Sequence, residues 1–400
     1  MKPRVLLIYH FFHPDTVVSA RIFSDLAQEL ARQGFDVTVF TSNRLIRGDR
    51  QLAADELWEG VKIRRFSRPN LNQASHWQRL VNSAILQAKW LWGFRKRRHE
   101  FDAVILGTDP QFAYMMFPFL RLLNRKVKLV HWAFDLYPEV VFANSPMWMR
   151  ALSSFALPFA RLAYRCVDLM ADIGGCMRKR LERHRHQARK TTLTPWALVE
   201  PATIPTADPQ IRLSLFGNAR LGLLYSGTVG YAHDLAPFIT LARECRRRQL
   251  DIAFCFAGYG NQYAAQTALL TPEDTNVRIA GFASEAELEQ RLAAADLHLI
   301  SLRPGWAGTV VPSKFFGALA IGRPVIFSGD PQSCLRHWTE DYRLGSFLAD
   351  DGAATIAFLE NLLQHPEELA QLQRHAFERY QQEFSRHSVT QRWIAELTPL

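Results

Sequence analysis

The segment 297–327 constrains the fold most, because an apolar strand, a loop, a short helix and a second apolar strand follow directly on one another there. Leu297, Leu299, Ile300 and Leu302 make a run suited to a strand buried on both faces, the habit of parallel sheets. Gly305 and Gly308 break the chain after it. Pro312 and Ser313 precede a helix expected to start near Lys314, with Ser313 in place to cap it. Gly322 and Pro324 end that helix, and Val325-Ile326-Phe327 opens the next strand. The loop therefore falls at the carboxyl end of a parallel strand, where open α/β sheets bind ligands. Free helix N–H groups flanked by Arg303 and Lys314 predict a site for an anion such as a diphosphate. The alternative is an ordinary β-loop-α unit carrying two solvated basic residues.

At 400 residues the chain exceeds what one core usually holds, so two domains are expected. The five cysteines are scattered and none forms a C-x-x-C pair, which argues against a zinc site or a disulfide framework. No uncharged apolar run reaches the ~18–20 residues of a membrane span. Met1-Lys2-Pro3-Arg4 leads straight into Val5–Tyr9, which reads as a first strand rather than a signal peptide. A cytoplasmic, reducing location is expected. The net charge of +10 is uneven: residues 1–200 carry +14 and residues 201–400 carry −4. An anionic partner should therefore meet the N-terminal half.

Taken in order, Val5–Tyr9, a helix opened by Ser19-Ala20-Arg21 and ended at Gly34, and Val37–Phe40 form a Rossmann-like β-α-β unit. It lacks G-x-G-x-x-G, so dinucleotide binding is not expected there. Residues 44–60 read as a loop or excursion. Apolar residues at 77, 80, 81, 84, 85, 88, 91 and 92 repeat at helical spacing and run into Phe94-Arg95-Lys96-Arg97-Arg98. Trp77, Trp90, Leu91, Trp92 and Phe94 beside that basic cluster fit docking on an anionic membrane surface, and a core-facing stripe with a solvated end is the alternative. Strands are expected at 103–106, 127–130 and 167–173, with helices near 112–123 and 147–165 and a second basic run over 178–190. Pro195, Pro201, Pro205 and Pro209 mark a linker. The second half repeats the β/α pattern. Its first strand, 221–226, closes on Gly227-Thr228-Val229-Gly230, and two glycines there let backbone N–H groups approach a ligand.

Several motifs occurring in order resemble bacterial family-4 glycosyltransferases of the GT-B fold, in the branch of colanic-acid, O-antigen and capsule assembly. They are Asp135-Leu136-Tyr137-Pro138-Glu139, Tyr225–Asp234, Phe256-Ala257-Gly258-Tyr259-Gly260, Ala295–Leu302, Val311-Pro312-Ser313-Lys314 and Gly322-Arg323-Pro324-Val325. The resemblance spans nearly the whole chain. It implies an α/β fold of two facing Rossmann-like domains, an acceptor domain over 1–200 and a nucleotide-sugar domain over 201–380. The final helix, 381–400, would cross back to the first domain. It further implies retaining transfer without a bound metal or other cofactor, and no Asp-x-Asp pair occurs in the sequence. The chain departs from the wider family at a Glu-x7-Glu pair, which would fall near Thr309 and at Gly317. The family's glycine-loop Arg and Lys fall at Thr228 and His233, and a first-domain His falls near Phe134.

Charge develops on the departing diphosphate, so positive groups aimed at it should supply most of the rate. Lys314 and Arg303 are the candidates, with Asp135 orienting the acceptor hydroxyl. Gly227, Thr228, Gly230, His233, Gly258, Phe282 and Ser313 are the donor-binding candidates. Phe282 or its neighbours would hold the base. His233 reads equally as a structural residue at a helix start, and Asp135 as a cap. Ser19 and Arg21, at the start of the first helix, are the acceptor-binding candidates, with Arg21 as plain surface charge the alternative. The expected partners are a UDP- or GDP-linked sugar, a polyprenyl-diphosphate-linked glycan and the inner face of the plasma membrane. Two other readings are a sugar-nucleotide 2-epimerase, for which no paired carboxylates are evident, and a non-catalytic homologue. Nucleic acid is not expected, because the basic runs lack any RNP, zinc-finger or helix-turn-helix setting.

Overall fold

A computed structural model describes residues 3–46, 50–69, 76–143, 157–184 and 186–398. The chain forms two compact units. One holds Met1–Thr194, Gly308–Val310 and Val389–Leu400, and the other holds Pro195–Ala307 and Val311–Ser388.

The first unit is built on an eight-stranded sheet: β1 (Arg4–Ile8), β2 (Asp36–Ser42), β3 (Asp55–Trp58), β4 (Val61–Phe66), β5 (Ala103–Leu106), β6 (Lys128–Trp132), β7 (Leu169–Asp172) and β8 (Arg189–Thr192). Their spatial order is β3-β4-β2-β1-β5-β6-β7-β8. All neighbours are parallel except the β3–β4 hairpin. That hairpin occupies part of the expected 44–60 excursion. Its strand was hidden because Asp55-Glu56-Leu57-Trp58 sits at the sheet edge and buries little. The helices are α1 (Val18–Arg32), α2 (His76–Arg97), α3 (Phe117–Leu123), α4 (Glu139–Ala143), α5 (Leu157–Arg165) and α6 (Gly175–Glu182). The expected 147–165 helix is seen as α5, and its first part lies outside the described residues.

The second unit has a six-stranded parallel sheet: β9 (Leu221–Thr228), β10 (Ile252–Tyr259), β11 (Val277–Ala280), β12 (Leu297–Leu302), β13 (Val325–Gly329) and β14 (Gly345–Phe347). The order is β11-β10-β9-β12-β13-β14. Between and after these strands lie α7 (Pro209–Phe216), α8 (Ala236–Arg247), α9 (Tyr263–Thr267), α10 (Glu285–Ala293), α11 (Lys314–Ala320), α12 (Cys334–Asp341), α13 (Ala353–Gln364) and α14 (Pro366–Glu383). Pro209 of the expected linker instead opens α7, whose first N–H groups are capped by Asp208. The last helix, α15 (Arg386–Leu397), carries Val389 and later residues into the first unit. There Trp393 is fully buried and packs edge-on against Trp132, with ring centroids 5.0 Å apart.

Helix α2 has the expected period but the opposite face inward. Leu86, Trp90 and Phe94 are buried, so Trp90 and Phe94 belong to the core and not to a docking face. Trp90 Nε1 points at the Thr41 carbonyl, and Phe94 stacks near Phe101. Trp77 and Trp92 remain exposed at 73% and 57%. The helix carries apolar residues all round, and its alanines at 84 and 88 weighted the pattern toward the outer face while burying nothing. Trp90→Ala should therefore destabilise the first unit by ~3–5 kcal/mol. Trp92→Ala should stay within about 0.5 kcal/mol of wild type. Urea unfolding followed by circular dichroism separates the two, and equal losses would reverse the assignment of faces.

Candidate active site

In the second unit the chain order reverses beside β9, where β12 pairs on one side and β10 on the other. The loops leaving β9 and β12 therefore meet at the carboxyl edge. Asp234 N–H donates to Ser301 Oγ at 2.6 Å, and Arg303 N–H donates to the Ala232 carbonyl at 2.8 Å. These bonds tie the glycine loop to β12 and the residue that follows it.

Lys314 lies at the centre. Its Nζ donates to the Thr228 carbonyl at 2.8 Å, lies 3.4 Å from His233 Nε2 and sits 5.1 Å over the Tyr225 ring. His233 Nδ1 lies 2.9 Å from the Ser301 carbonyl, which fixes the proton on Nδ1 and leaves Nε2 to accept. Burial and the neighbouring Lys314 hold His233 neutral, pushed down to about 3. His233 thus positions Lys314, and both of its ring nitrogens are engaged within the protein. Burial pushes Lys314 down to about 7, and no carboxylate among the described residues offsets this. A buried ammonium without a counter-charge is costly, and an anion would relieve it.

Arg303 Nε donates to the His233 carbonyl at 2.9 Å, with Asp234 Oδ2 at 3.8 Å. Ser313 occupies the position before α11, but its side chain makes no capping bond because its own backbone is already helical. The cap expected of Ser313 is therefore absent. The helix itself is only seven residues long, so the positive charge at this edge comes mainly from side chains. Gly227 is favoured by its backbone, at φ +118°, and a Cβ there would lie 2.9 Å from Lys314 Cε near the end of that flexible side chain. At Gly258 a Cβ would lie 2.2 Å from the Gly227 carbonyl oxygen, so this glycine keeps β9 and β10 in contact. Gly230 has open space around it. Phe282 is 60% exposed, edge-on to Tyr259 at 4.8 Å; Tyr259 ends β10 and Phe282 follows β11. A Cβ at Gly317 would meet no atom within 4 Å, so that face of α11 is open where the wider family carries glutamate.

The first unit shows a second cluster at its own reversal point, between β1 and β5. Asp135 follows β6, and its N–H donates to Thr108 Oγ1 at 3.4 Å. Burial, then the nearby Asp109, push its carboxyl up to about 6. Ser19 is hydrogen-bonded to the Tyr9 hydroxyl, and both Asp109 and Asp135 act on that hydroxyl. The structure thus brings Ser19 and Asp135 into one neighbourhood. Arg21, on the first turn of α1, is partly buried, with its N–H donated to the Val17 carbonyl. Sequence reading missed His10 and Asp109. Their signal was available, since they lie two and three residues beyond β1 and β5, on the two sides of a Rossmann-like crossover.

Residues 19–197 match the glycosyl transferase 4-like domain, and residues 240–396 match a glycosyl transferase-like family. The chain belongs to the family-4 glycosyltransferases of GT-B fold. A probable glycosyltransferase of Pseudomonas aeruginosa, WbjE, is 27% identical over 276 residues, which is 66% of this chain. The chain spans 65% of that relative's length. Two solved structures share the fold. A sucrose-phosphate synthase from Thermosynechococcus elongatus has a TM-score of 0.71 at 16% identity, covering 100% of this chain and 98% of its own. WaaG, a glycosyltransferase involved in lipopolysaccharide biosynthesis, has a TM-score of 0.63 at 17% identity, covering 98% and 99%.

The depressed Lys314 couples anion binding to protons. Below about pH 7 the ammonium is already charged in the free protein, so binding takes up little. Above that value a bound diphosphate must recharge it, so affinity falls as pH rises, by up to about tenfold per unit. Calorimetry with UDP and GDP in two buffers of different ionisation enthalpy at pH 8 should show uptake approaching one proton. Lys314→Ala should abolish that uptake, and uptake unchanged in the variant would place the coupling elsewhere.

Proposed function

We propose that the protein is a retaining, hexosyltransferase-type enzyme moving a sugar from a UDP- or GDP-linked donor to a polyprenyl-diphosphate-linked glycan. The proposed place is the cytoplasmic face of the plasma membrane, in surface-polysaccharide biosynthesis. The observation that carries the donor half is Lys314, a partly buried cation with no carboxylate offsetting it among the described residues, beside Arg303 at a sheet reversal point. These are the groups that stabilise a departing nucleoside diphosphate. We propose that no divalent cation is needed, a reading supported by the lack of an Asp-x-Asp pair. Retention rests on the family likeness.

Lys314→Ala and Arg303→Ala should each cost about 10²–10³ in turnover, the usual loss for one such donor. Nucleoside-diphosphate release from UDP- and GDP-sugars checks this, once thermal shifts have picked the donor. Near-normal turnover in both variants would remove the diphosphate assignment. Activity lost in EDTA and restored by Mg²⁺ would remove metal independence.

The acceptor half rests on the outer face of the first unit. There α3 packs between α2 and α5, and each helix exposes an apolar pair: Trp77 and Trp92, Phe119 and Leu122, Phe159 and Leu162. Arg95 and Lys96 lie over the Trp92 ring at 5.8 and 5.1 Å, and Arg161 and Arg165 flank the α5 pair. Aromatic and aliphatic groups ringed by cations match an anionic bilayer surface, at roughly 1 kcal/mol per Lys or Arg. The full chain should pellet with phosphatidylglycerol-containing vesicles at low salt and release at high salt. The double variant Trp77→Ser with Trp92→Ser should pellet less. Equal pelleting with neutral vesicles would overturn the electrostatic part.

A further inference from the structure

The loops that leave β2 and β4 carry one arginine each, Arg44 and Arg68, both two residues beyond a strand end on the carboxyl edge of the first sheet. The two loops are knit together: Asn43 N–H donates to the Phe66 carbonyl at 3.1 Å, and Arg68 N–H donates to Asn43 Oδ1 at 3.3 Å. Arg68 is 8% exposed, and its guanidinium lies 5.9 Å from the centre of the Phe11 ring in the loop after β1. A cation buried so deeply normally has a carboxylate against it. Among the described residues neither arginine forms an ion pair, and the one hydrogen bond from either guanidinium runs from Arg68 Nη2 to the Leu45 carbonyl at 3.4 Å. The ε nitrogens of both are buried and meet no partner. The carboxylates whose charge reaches Arg68 are engaged elsewhere. Asp15 accepts the N–H groups of Val17 and Ile46 at 3.2 and 2.7 Å, and Asp109 Oδ2 lies 3.0 Å from His10 Nδ1. Burial, then the charge of Arg44, hold the Arg68 guanidinium below its ordinary range. Unspent guanidinium donors at the ligand-binding edge of an α/β sheet call for a ligand with several acceptor oxygens, and the planar fork of arginine matches phosphate.

We propose that Arg44 and Arg68 form an anion subsite of the first unit that takes the diphosphate of the acceptor, a reading that rests on the transferase function proposed above. A phosphate has the oxygens to accept both ε N–H groups at once, and its charge supplies what no carboxylate among the described residues does. A neutral sugar would satisfy the N–H groups and leave the two positive charges uncompensated. The source is a lipid ester and not a soluble phosphate, because this edge borders the face proposed to dock on the bilayer. Trp77, 73% exposed, and Arg79 share the first turn of α2, and the charge of Arg79 reaches the Tyr137 hydroxyl, which also feels Asp135 and Asp109. Further along α2, Lys89 Nζ donates to the Ser67 carbonyl at 2.6 Å, tying the helix to the residue before Arg68. The turn that meets the bilayer is thus the turn that overhangs the carboxyl edge. A diphosphate at headgroup level reaches that edge with its lipid still inserted.

Calorimetry on the full chain tests this with the second unit occupied. Protein saturated with UDP or GDP, whichever binds, should still take up inorganic pyrophosphate and farnesyl diphosphate. Arg44→Gln and Arg68→Gln should each weaken both by about 10–100-fold, the usual loss for a hydrogen bond to a charged group, with nucleotide affinity unchanged. Arg68→Lys, which keeps the charge and loses the fork, should recover only part of that loss. If circular dichroism shows that Arg68→Gln does not fold, Arg44→Gln, at a half-buried position, decides alone. No pyrophosphate uptake beside the nucleotide, or affinities within about threefold of wild type in the folded glutamine variants, would overturn the subsite. Pyrophosphate bound with farnesyl diphosphate refused would overturn the lipid-linked source in favour of a soluble phosphate. Farnesyl diphosphate bound with pyrophosphate refused would show capture by the lipid chain and overturn the subsite as well. A wild type that binds neither UDP nor GDP would instead overturn the donor assignment, and pyrophosphate binding to Lys314→Ala would then decide the subsite.

Discussion

A parallel strand can only hand its chain on at the carboxyl edge of the sheet, and that constraint arranges everything functional in this protein. Each unit has one place where successive connections run to opposite sides, at β1 against β5 and at β9 against β12. A crevice opens there because no connection covers it. Lys314, His233 and Arg303 gather at one such edge, and His10, Asp109 and Asp135 at the other. Neither group is contiguous in sequence. Strand register is what brings loops separated by dozens of residues to hydrogen-bonding distance.

At their reversal points the two edges have opposite chemistry. The second unit concentrates positive charge without a carboxylate on Lys314, although residues 201–400 are net negative. The first unit sets the Asp135 carboxyl near Asp109, whose Oδ2 lies 3.0 Å from His10 Nδ1, although residues 1–200 carry +14. Charge summed over a domain is a surface property, expressed here on the outer faces of α2 and α5. A pocket's charge is set by the few side chains whose desolvation the fold enforces.

Local chemistry explains most of what could be read early. Uninterrupted runs such as Leu221–Tyr225 and Leu297–Leu302 identify themselves as buried parallel strands. Edge elements do not, since β3 and β14 bury too little to leave a pattern. Helix α2 marks the other limit. Its period was legible but not its phase, because tryptophans lie on both faces and partners distant in sequence, such as Thr41 for Trp90 and Phe101 for Phe94, receive one of them.

The sequence by itself determined the fold class, the positions of the principal strands, the family and the candidacy of Lys314, Arg303 and Asp135. Each of these follows from hydrophobic runs, glycine placement or motifs carried on contiguous residues. Tertiary structure alone decided that His233 serves Lys314, that Gly227 takes a φ of +118° beside that lysine, and that His10 lies beside Asp109. Those relations depend on strand order, register and burial. A sequence contains the side chains but not the desolvation that turns a lysine into an uncompensated charge, or an arginine into an unpartnered donor.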